Sequence, residues 1–306
     1  MKVAILNVGG ALSSYIEVSG KKVVIDLGSG NDFSPVNDFL VPLFKKKSYE
    51  KRNNKYLIDQ VILSHPHKDH ISDLAEFDKH FFMNLYTTPN DLSKESEKRK
   101  NVNWSMVDDS QSDEVKKLRE LYKGRQLPLR VCDNSMTIGY IYPLDVEENK
   151  TLASESYTNN ISIAVFIHSN YRIFFAADLQ KEGMQYMLDT NSEILKHIKQ
   201  GVDFLVCPHH GLKSSFSTYL FSNMKNGKTK KLNIVSEKTT HGKEDKRQVD
   251  TRYSSTDYCE GDNNLSTDSE TVCQRKTSNG HIFIDENGKI TIYEDIKDLI
   301  LSLIHI

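Results

Sequence analysis

Four cysteines, Cys132, Cys207, Cys259 and Cys273, are scattered through 306 residues without a CxxC pair. That spacing fits reduced thiols in a cytosol, and a chain of this length needs no disulfide staple. No run approaches the ~18 to 20 consecutive apolar residues of a membrane span. The opening MKVAILNVGG lacks the apolar core and cleavage site of a signal peptide. The expectation is a soluble, cytoplasmic protein with no membrane partner. Charge of one sign is also missing: 40 Lys plus Arg face 42 Asp plus Glu, a formal net charge of −2. A uniformly basic nucleic-acid coat is thereby excluded, whereas a local basic groove is not. Neither GxSxG nor a Walker phosphate loop occurs, so covalent serine catalysis and nucleotide-driven work have no support.

What is present reads as a single layered α/β domain over 1–306. Val3 to Val8, Ser14 to Val18 and Lys22 to Leu27, separated by glycine turns, predict an antiparallel meander. Further strands are expected at Gln60 to Ser64, Arg130 to Cys132, Met136 to Tyr142, Ile161 to His168, Ile173 to Ala177, Val202 to Cys207 and Leu232 to Ser236. Ile71 to His80 and Glu182 to Lys199 have helical spacing. The stretch 91–126 is charged and reads as an insertion or cover, with a helix over Asp113 to Lys123. Residues 237–275 read as a long mobile loop, and Gly280 to Glu294 as a hairpin before a short apolar tail. Two basic stretches, Lys45 to Lys55 and Lys225 to Arg247, are candidates for flanking a polyanion.

The strongest signal is His65-Pro66-His67-Lys68-Asp69-His70, four metal-capable side chains within six residues directly after a strand. A loop can aim such a set at one point, with His65 and His67 on one divalent ion and Asp69 and His70 on a second. Further candidate ligands stand where strands end. Asp178 could bridge two ions or merely cap a helix, and the His209-His210 pair offers one more nitrogen beside the turn-forming Gly211. Asn159-Asn160 offers an amide oxygen or makes a turn, and His241 is an acid, an extra ligand or a loop residue.

The set Asp26-Leu27-Gly28, His65-Pro66-His67-Lys68-Asp69-His70, Ala177-Asp178 and Pro208-His209-His210-Gly211 resembles the metallo-β-lactamase fold superfamily. Within it, Asn7-Val8-Gly9-Gly10-Ala11, Asn159-Asn160-Ile161-Ser162 and His209-His210-Gly211-Leu212-Lys213-Ser214-Ser215 are similar to the soluble domain of ComEC-type competence proteins. The resemblance implies an αββα four-layer sandwich with a helical, charged insertion. It also implies two divalent ions, zinc or manganese with magnesium as a further option. It assigns His65 and His67 to the first metal, Asp69 and His70 to the second, Asp178 to the bridging or second-site position, and His210, with His209 as fallback, to the last ligand. Asp26 then orients the metal loop from behind. Where most members carry a further histidine, this chain has Asn160.

A two-ion site activates water for hydrolysis. Asp69 is the candidate for positioning that water, and His241 or a lysine of the basic loops for serving the leaving oxygen. The leading expectation is a phosphodiesterase or nuclease acting on DNA or RNA. The alternatives are a hydrolase of a small molecule (cyclic nucleotide, phosphoester or lactone) and a metal-stabilised subunit of a multi-protein complex. The habits of the ComEC-like branch add a regulatory ATPase or other protein partner, in a bacterial antiviral defence or stress operon.

Overall fold

The structure is a computed structural model and describes residues 1–30, 32–89, 95–123, 129–237, 248–262 and 272–305. The chain first lays down β1 (Lys2–Ile5), β2 (Ser13–Val18), β3 (Lys21–Leu27), β4 (Tyr56–Ile62) and β5 (Phe81–Thr87). A second sheet follows from β6 (Met136–Gly139), β7 (Ala164–His168), β8 (Arg172–Phe175), β9 (Phe204–Val206), β10 (Leu232–Val235) and β11 (Gln274–Lys276). The hairpin β12 (His281–Ile284) and β13 (Ile290–Tyr293) then returns to the first. The spatial orders are β13-β12-β1-β2-β3-β4-β5 and β11-β10-β9-β8-β7-β6.

Alternation along the strands sets the layers. Val3, Ile5, Val23 and Ile25 of the first sheet meet Val165, Ile167, Ile173 and Phe175 of the second in a core between the sheets. Their neighbours Ala4 and Val24 face outward. They pack beneath α1 (Val41–Lys46), α3 (Leu74–His80), α4 (Asp113–Tyr122) and the C-terminal α10 (Ile296–His305), while α2 (Lys68–Ile71) leads into α3. Phe166 and Phe174 face the other way. Over the second sheet lie α5 (Pro143–Glu148), α6 (Lys150–Asn160), α7 (Lys181–Thr190), α8 (Ser192–Gln200) and α9 (Thr218–Asn223). The result is the expected αββα sandwich.

Several local expectations are corrected. Arg130 to Cys132 forms no strand, because its backbone pairs with the Gln60 side chain: Gln60 Nε2 donates to Arg130 O at 2.9 Å and Cys132 N donates to Gln60 Oε1 at 2.8 Å. The helix expected over Glu182 to Lys199 is two, broken at Asn191, whose amide donates to Tyr140 O at 2.9 Å. The apolar tail is the helix α10, with Leu299, Ile300 and Leu303 buried. The described parts of 237–275 contribute the buried Tyr253, Cys259 and Cys273. Among the described residues, no helix is long and apolar enough to cross a membrane.

One feature of this topology positions the site. β3 and β4 run parallel in the first sheet, as do β8, β9, β10 and β11 in the second. The chain leaves β3, β4, β8, β9 and β10 at one common edge of the sandwich, the place where ligands of parallel sheets gather. The described residues of the two basic stretches lie elsewhere. Lys55 precedes β4, and Lys47 pairs with Glu17 beside the β2–β3 turn. Lys225, Lys228 and Lys230 line a cavity of about 340 Å³ with Arg172 at the opposite ends of the second sheet's strands. These described residues do not border the edge from which the histidines project, and residues 238–247, the rest of the second stretch, lie outside the described residues.

Candidate metal centre

The His65 loop is held from β3. Asp26 Oδ1 accepts from Ser64 N at 2.7 Å, and Asp26 Oδ2 accepts from Ser64 Oγ at 2.8 Å and lies 2.7 Å from His70 Nδ1. Asp26, Ser64, His65 and His70 are all fully buried. Gly28 lets the loop settle on β3: a Cβ there would stand 1.9 Å from the Asp69 carbonyl oxygen. From the second sheet, Asp178 follows the left-handed Ala177 (φ 50°), and His209 N bonds Ala177 O at 2.9 Å. His209 (φ 46°), His210 (φ 55°) and Gly211 (φ 72°) are three successive left-handed residues. Backbone strain in Asp26 (φ 60°), Ala177, His209 and His210 thus collects at this edge, each at an order-of-magnitude cost of ~1–3 kcal/mol that the surrounding structure must hold.

These turns bring the side chains into two adjoining groups, His65 with His67 and Asp178, and Asp69 with His70 and His210. Within each, the donor atoms lie within 4.8 Å of one another. Asp178, 2% exposed, sits between the groups. Its Oδ1 is 3.4 Å from His70 Nε2, and its Oδ2 is 3.7 Å from His65 Nε2 and 3.8 Å from His210 Nε2. His210 Nε2 also lies 3.3 Å from Asp69 Oδ2. His209 belongs to neither group; its Nε2 is 3.9 Å from Asp178 Oδ2, and its Nδ1 is 3.3 Å from Ser215 Oγ.

The electrostatics follow from this packing. Burial lowers His65 well below the ordinary imidazole value, and lowers His209. Burial would lower His70 too, but Asp178 and Asp26 outweigh it and raise the ring well above that value. Against the same opposing effect, Asp178 and Asp69 raise His210. Asp178 is held well below the carboxylate range, its own desolvation overcome by His70 and His210. The donor set fits divalent ions: His70 Nε2 and His210 Nε2 are buried without a hydrogen-bond partner, both aimed at the carboxylates. Mixed imidazole and carboxylate donors of this kind suit zinc or manganese.

Asn160 does not join the groups. Its Nδ2 donates to Leu152 O at 3.0 Å and Glu155 Oε2 at 3.1 Å, while its Oδ1 accepts from Gln180 N at 3.2 Å. The amide braces the turn after Asp178 instead of facing the centre. His241 lies outside the described residues. Sequence reasoning missed Ser64 and Asp108 and gave Ser215, though within a quoted motif, no role; Asp108, whose Oδ2 lies 3.3 Å from His67 Nε2, is far from the histidine motif in the chain, and no local pattern marks it.

Residues 6–217 match the sequence description of the metallo-beta-lactamase superfamily. Among solved structures, the chain is similar to the metallo-beta-lactamase fold protein YhfI from Bacillus subtilis, at 14% identity over 76% of this chain and 85% of that one (TM-score 0.36). It is also similar to a diphosphatase from the PhnP family, at 13% identity over 76% and 85% (TM-score 0.36). Unliganded yeast PDE1 matches at 13% identity over 80% and 90% (TM-score 0.38). No curated protein sequence matches.

Proposed function

The chain belongs to the metallo-beta-lactamase superfamily of metal-dependent hydrolases, and from that premise we propose that it hydrolyses a phosphodiester. The observation that carries this reading is Asp178, one buried carboxylate facing both donor groups. Paired positions about a shared carboxylate suit in-line displacement at phosphorus, where attacking and leaving oxygens both need charge stabilisation. In this reading His65, His67 and Asp178 hold one ion, and Asp69, His70 and His210 hold the other. When bound, the ions supply Lewis acidity toward a phosphoryl oxygen and toward water. The chain's own groups do the rest. Asp69, whose side chain is 40% exposed, orients the attacking water through its open oxygen. His209, fixed by Ser215 and only 23% exposed, stands where its Nε2 can serve the leaving oxygen. A diester anion beside it would oppose the burial that lowers its pKa.

A small diester is favoured over a long polyanion because, among the described residues, Lys47, Lys225, Lys228 and Lys230 lie away from the site; residues 238–247 lie outside the described residues. The ComEC-like motifs support phosphorus chemistry and keep nucleic acid as the second arm of the test. Protein loaded with zinc or manganese is assayed on an aryl phosphodiester, cyclic nucleotides, single- and double-stranded DNA, and RNA. Turnover of the small diesters, abolished in Asp178→Asn, is the expected result. Cleavage confined to polymers and falling steeply with salt would favour the nuclease reading. Intact metal binding with no diester turnover overturns the proposal and favours an interaction subunit.

A further inference from the structure

Each imidazole of the two groups presents one ring nitrogen to the centre and has the other held. His65 Nδ1 lies 3.0 Å from Ser64 Oγ, His70 Nδ1 lies 2.7 Å from Asp26 Oδ2, and His210 Nδ1 lies 3.2 Å from Ser236 O. All three holders stand at the ends of sheet strands. His67 differs. Its Nδ1 faces His65 Nε2 at 3.0 Å, and its Nε2 lies 3.3 Å from Asp108 Oδ2. Asp108 belongs to the charged covering segment, and its side chain is 64% exposed.

The backbone carrying that carboxylate is anchored. Asp108 N donates to Oγ1 of the fully buried Thr158 at 2.8 Å. Farther along the segment, Ser112 caps α4 and Val115 and Leu118 are buried in the outer core. Lys68, next to His67, meets Glu114 at 2.9 Å. The segment thus grips the histidine loop at two places, with Asp108 aimed at the ring nitrogen that faces away from His65.

We propose that Asp108 is the positioning residue of His67, so that the covering segment sets the affinity of the first metal position. This rests on the metal-centre reading above. By accepting the Nε2–H hydrogen, Asp108 fixes the tautomer that leaves the Nδ1 lone pair free toward His65 and Asp178, the outer arrangement metal-bound histidines commonly need. The competing description is an exposed ion pair that holds the cover and does nothing for the ion.

Metal titration of the full chain against a competing chelator separates the two. In Asp108→Ala, one of two zinc equivalents should weaken by about 10- to 100-fold while the other is unchanged. Asp108→Asn, whose amide oxygen still accepts the hydrogen, should fall between wild type and Asp108→Ala. The neighbouring Asp109→Asn should match wild type. Circular dichroism and a melting curve establish that each variant is folded; the exposure of Asp108 makes misfolding an unexpected result. Unchanged affinity for both ions in folded Asp108→Ala overturns the inference, as does equal weakening of both. A wild-type chain that binds no ion overturns the metal-centre reading along with it, whereas metal binding without diester turnover overturns only the proposed reaction.

Discussion

Asp26 Oδ2 lies 2.7 Å from His70 Nδ1, and both side chains are completely buried. The other oxygen of the same carboxylate accepts the backbone N–H of Ser64. One acid on β3 therefore fixes both ends of the histidine loop.

Asp26→Ala should strand the His70 and Ser64 donors in the interior, at a cost of about 3–5 kcal/mol, the order seen when one partner of a buried pair is removed. Metal affinity should fall by about 10- to 100-fold in the same variant. Urea unfolding and chelator competition test the two halves separately. Wild-type metal affinity in Asp26→Ala would show that His70 needs no outer partner.

Gly28 and Gly20 make a matched pair. At Gly28 an added methyl meets the Asp69 carbonyl oxygen at 1.9 Å, while at Gly20 nothing lies within 4 Å and only the left-handed φ of 74° is unfavourable. Gly28→Ala should cost about 1–3 kcal/mol through overpacking and should also reduce metal loading. Gly20→Ala should cost ~1–2 kcal/mol with loading intact. Equal metal content in the two variants would contradict the close approach of β3 to the loop.

Asn160→Ala is expected to leave two bound equivalents of metal in place. Its effect should be on stability, about 1–3 kcal/mol, as Gln180 N and Leu152 O lose their partners. Loss of one equivalent from the folded variant would instead make Asn160 a ligand.

The layered fold was legible because strand and helix periods are local, as at β7, where Phe166 and Ile167 face opposite cores. The close grouping of His65, His67, Asp69 and His70 was legible for the same reason: the spacing alone forces them together. Distant relationships were not. Asp178 and the His209-His210 pair were legible as candidate ligands at strand ends, but only the family resemblance assigned Asp178 and His210 their places, since sheet pairing brings them to the edge. The choice between neighbouring asparagines or histidines depended on turn geometry, with His209 and His210 both left-handed. The described lysines of the basic stretches stand away from the centre, because a charge run carries no sign of which end of a strand it occupies.

The pH dependence has two opposing parts. His70 and His210 are raised in the folded, metal-free chain, chiefly by Asp178 against burial. Their contribution to stability is full below the unfolded imidazole value of ~6.5 and is lost as pH rises through the raised folded values. Asp178 and Asp69 are lowered in the folded state by these imidazoles, against their own desolvation. Their contribution is present above ~3.9 and lost as pH falls through the lowered values. An ion requires unprotonated imidazoles, so the melting-temperature gain on adding zinc should be larger at pH 8 than at pH 6. An equal gain at both would mean that the ion does not displace these protons.

The common edge where the strands end is also where the two sheets are stitched together. Ile163 N bonds Ser64 O at 2.9 Å, Ser236 Oγ bonds Ala11 O, and the carboxylate of Asp178 faces histidines that arrive from the other sheet. Neither sheet alone owns a complete donor group, since Asp178 and His210 come from the later half of the chain and the remaining donors from the earlier half. Ion binding is therefore a late event in assembly. During refolding, its onset marks the moment when the two halves of the molecule have docked in register.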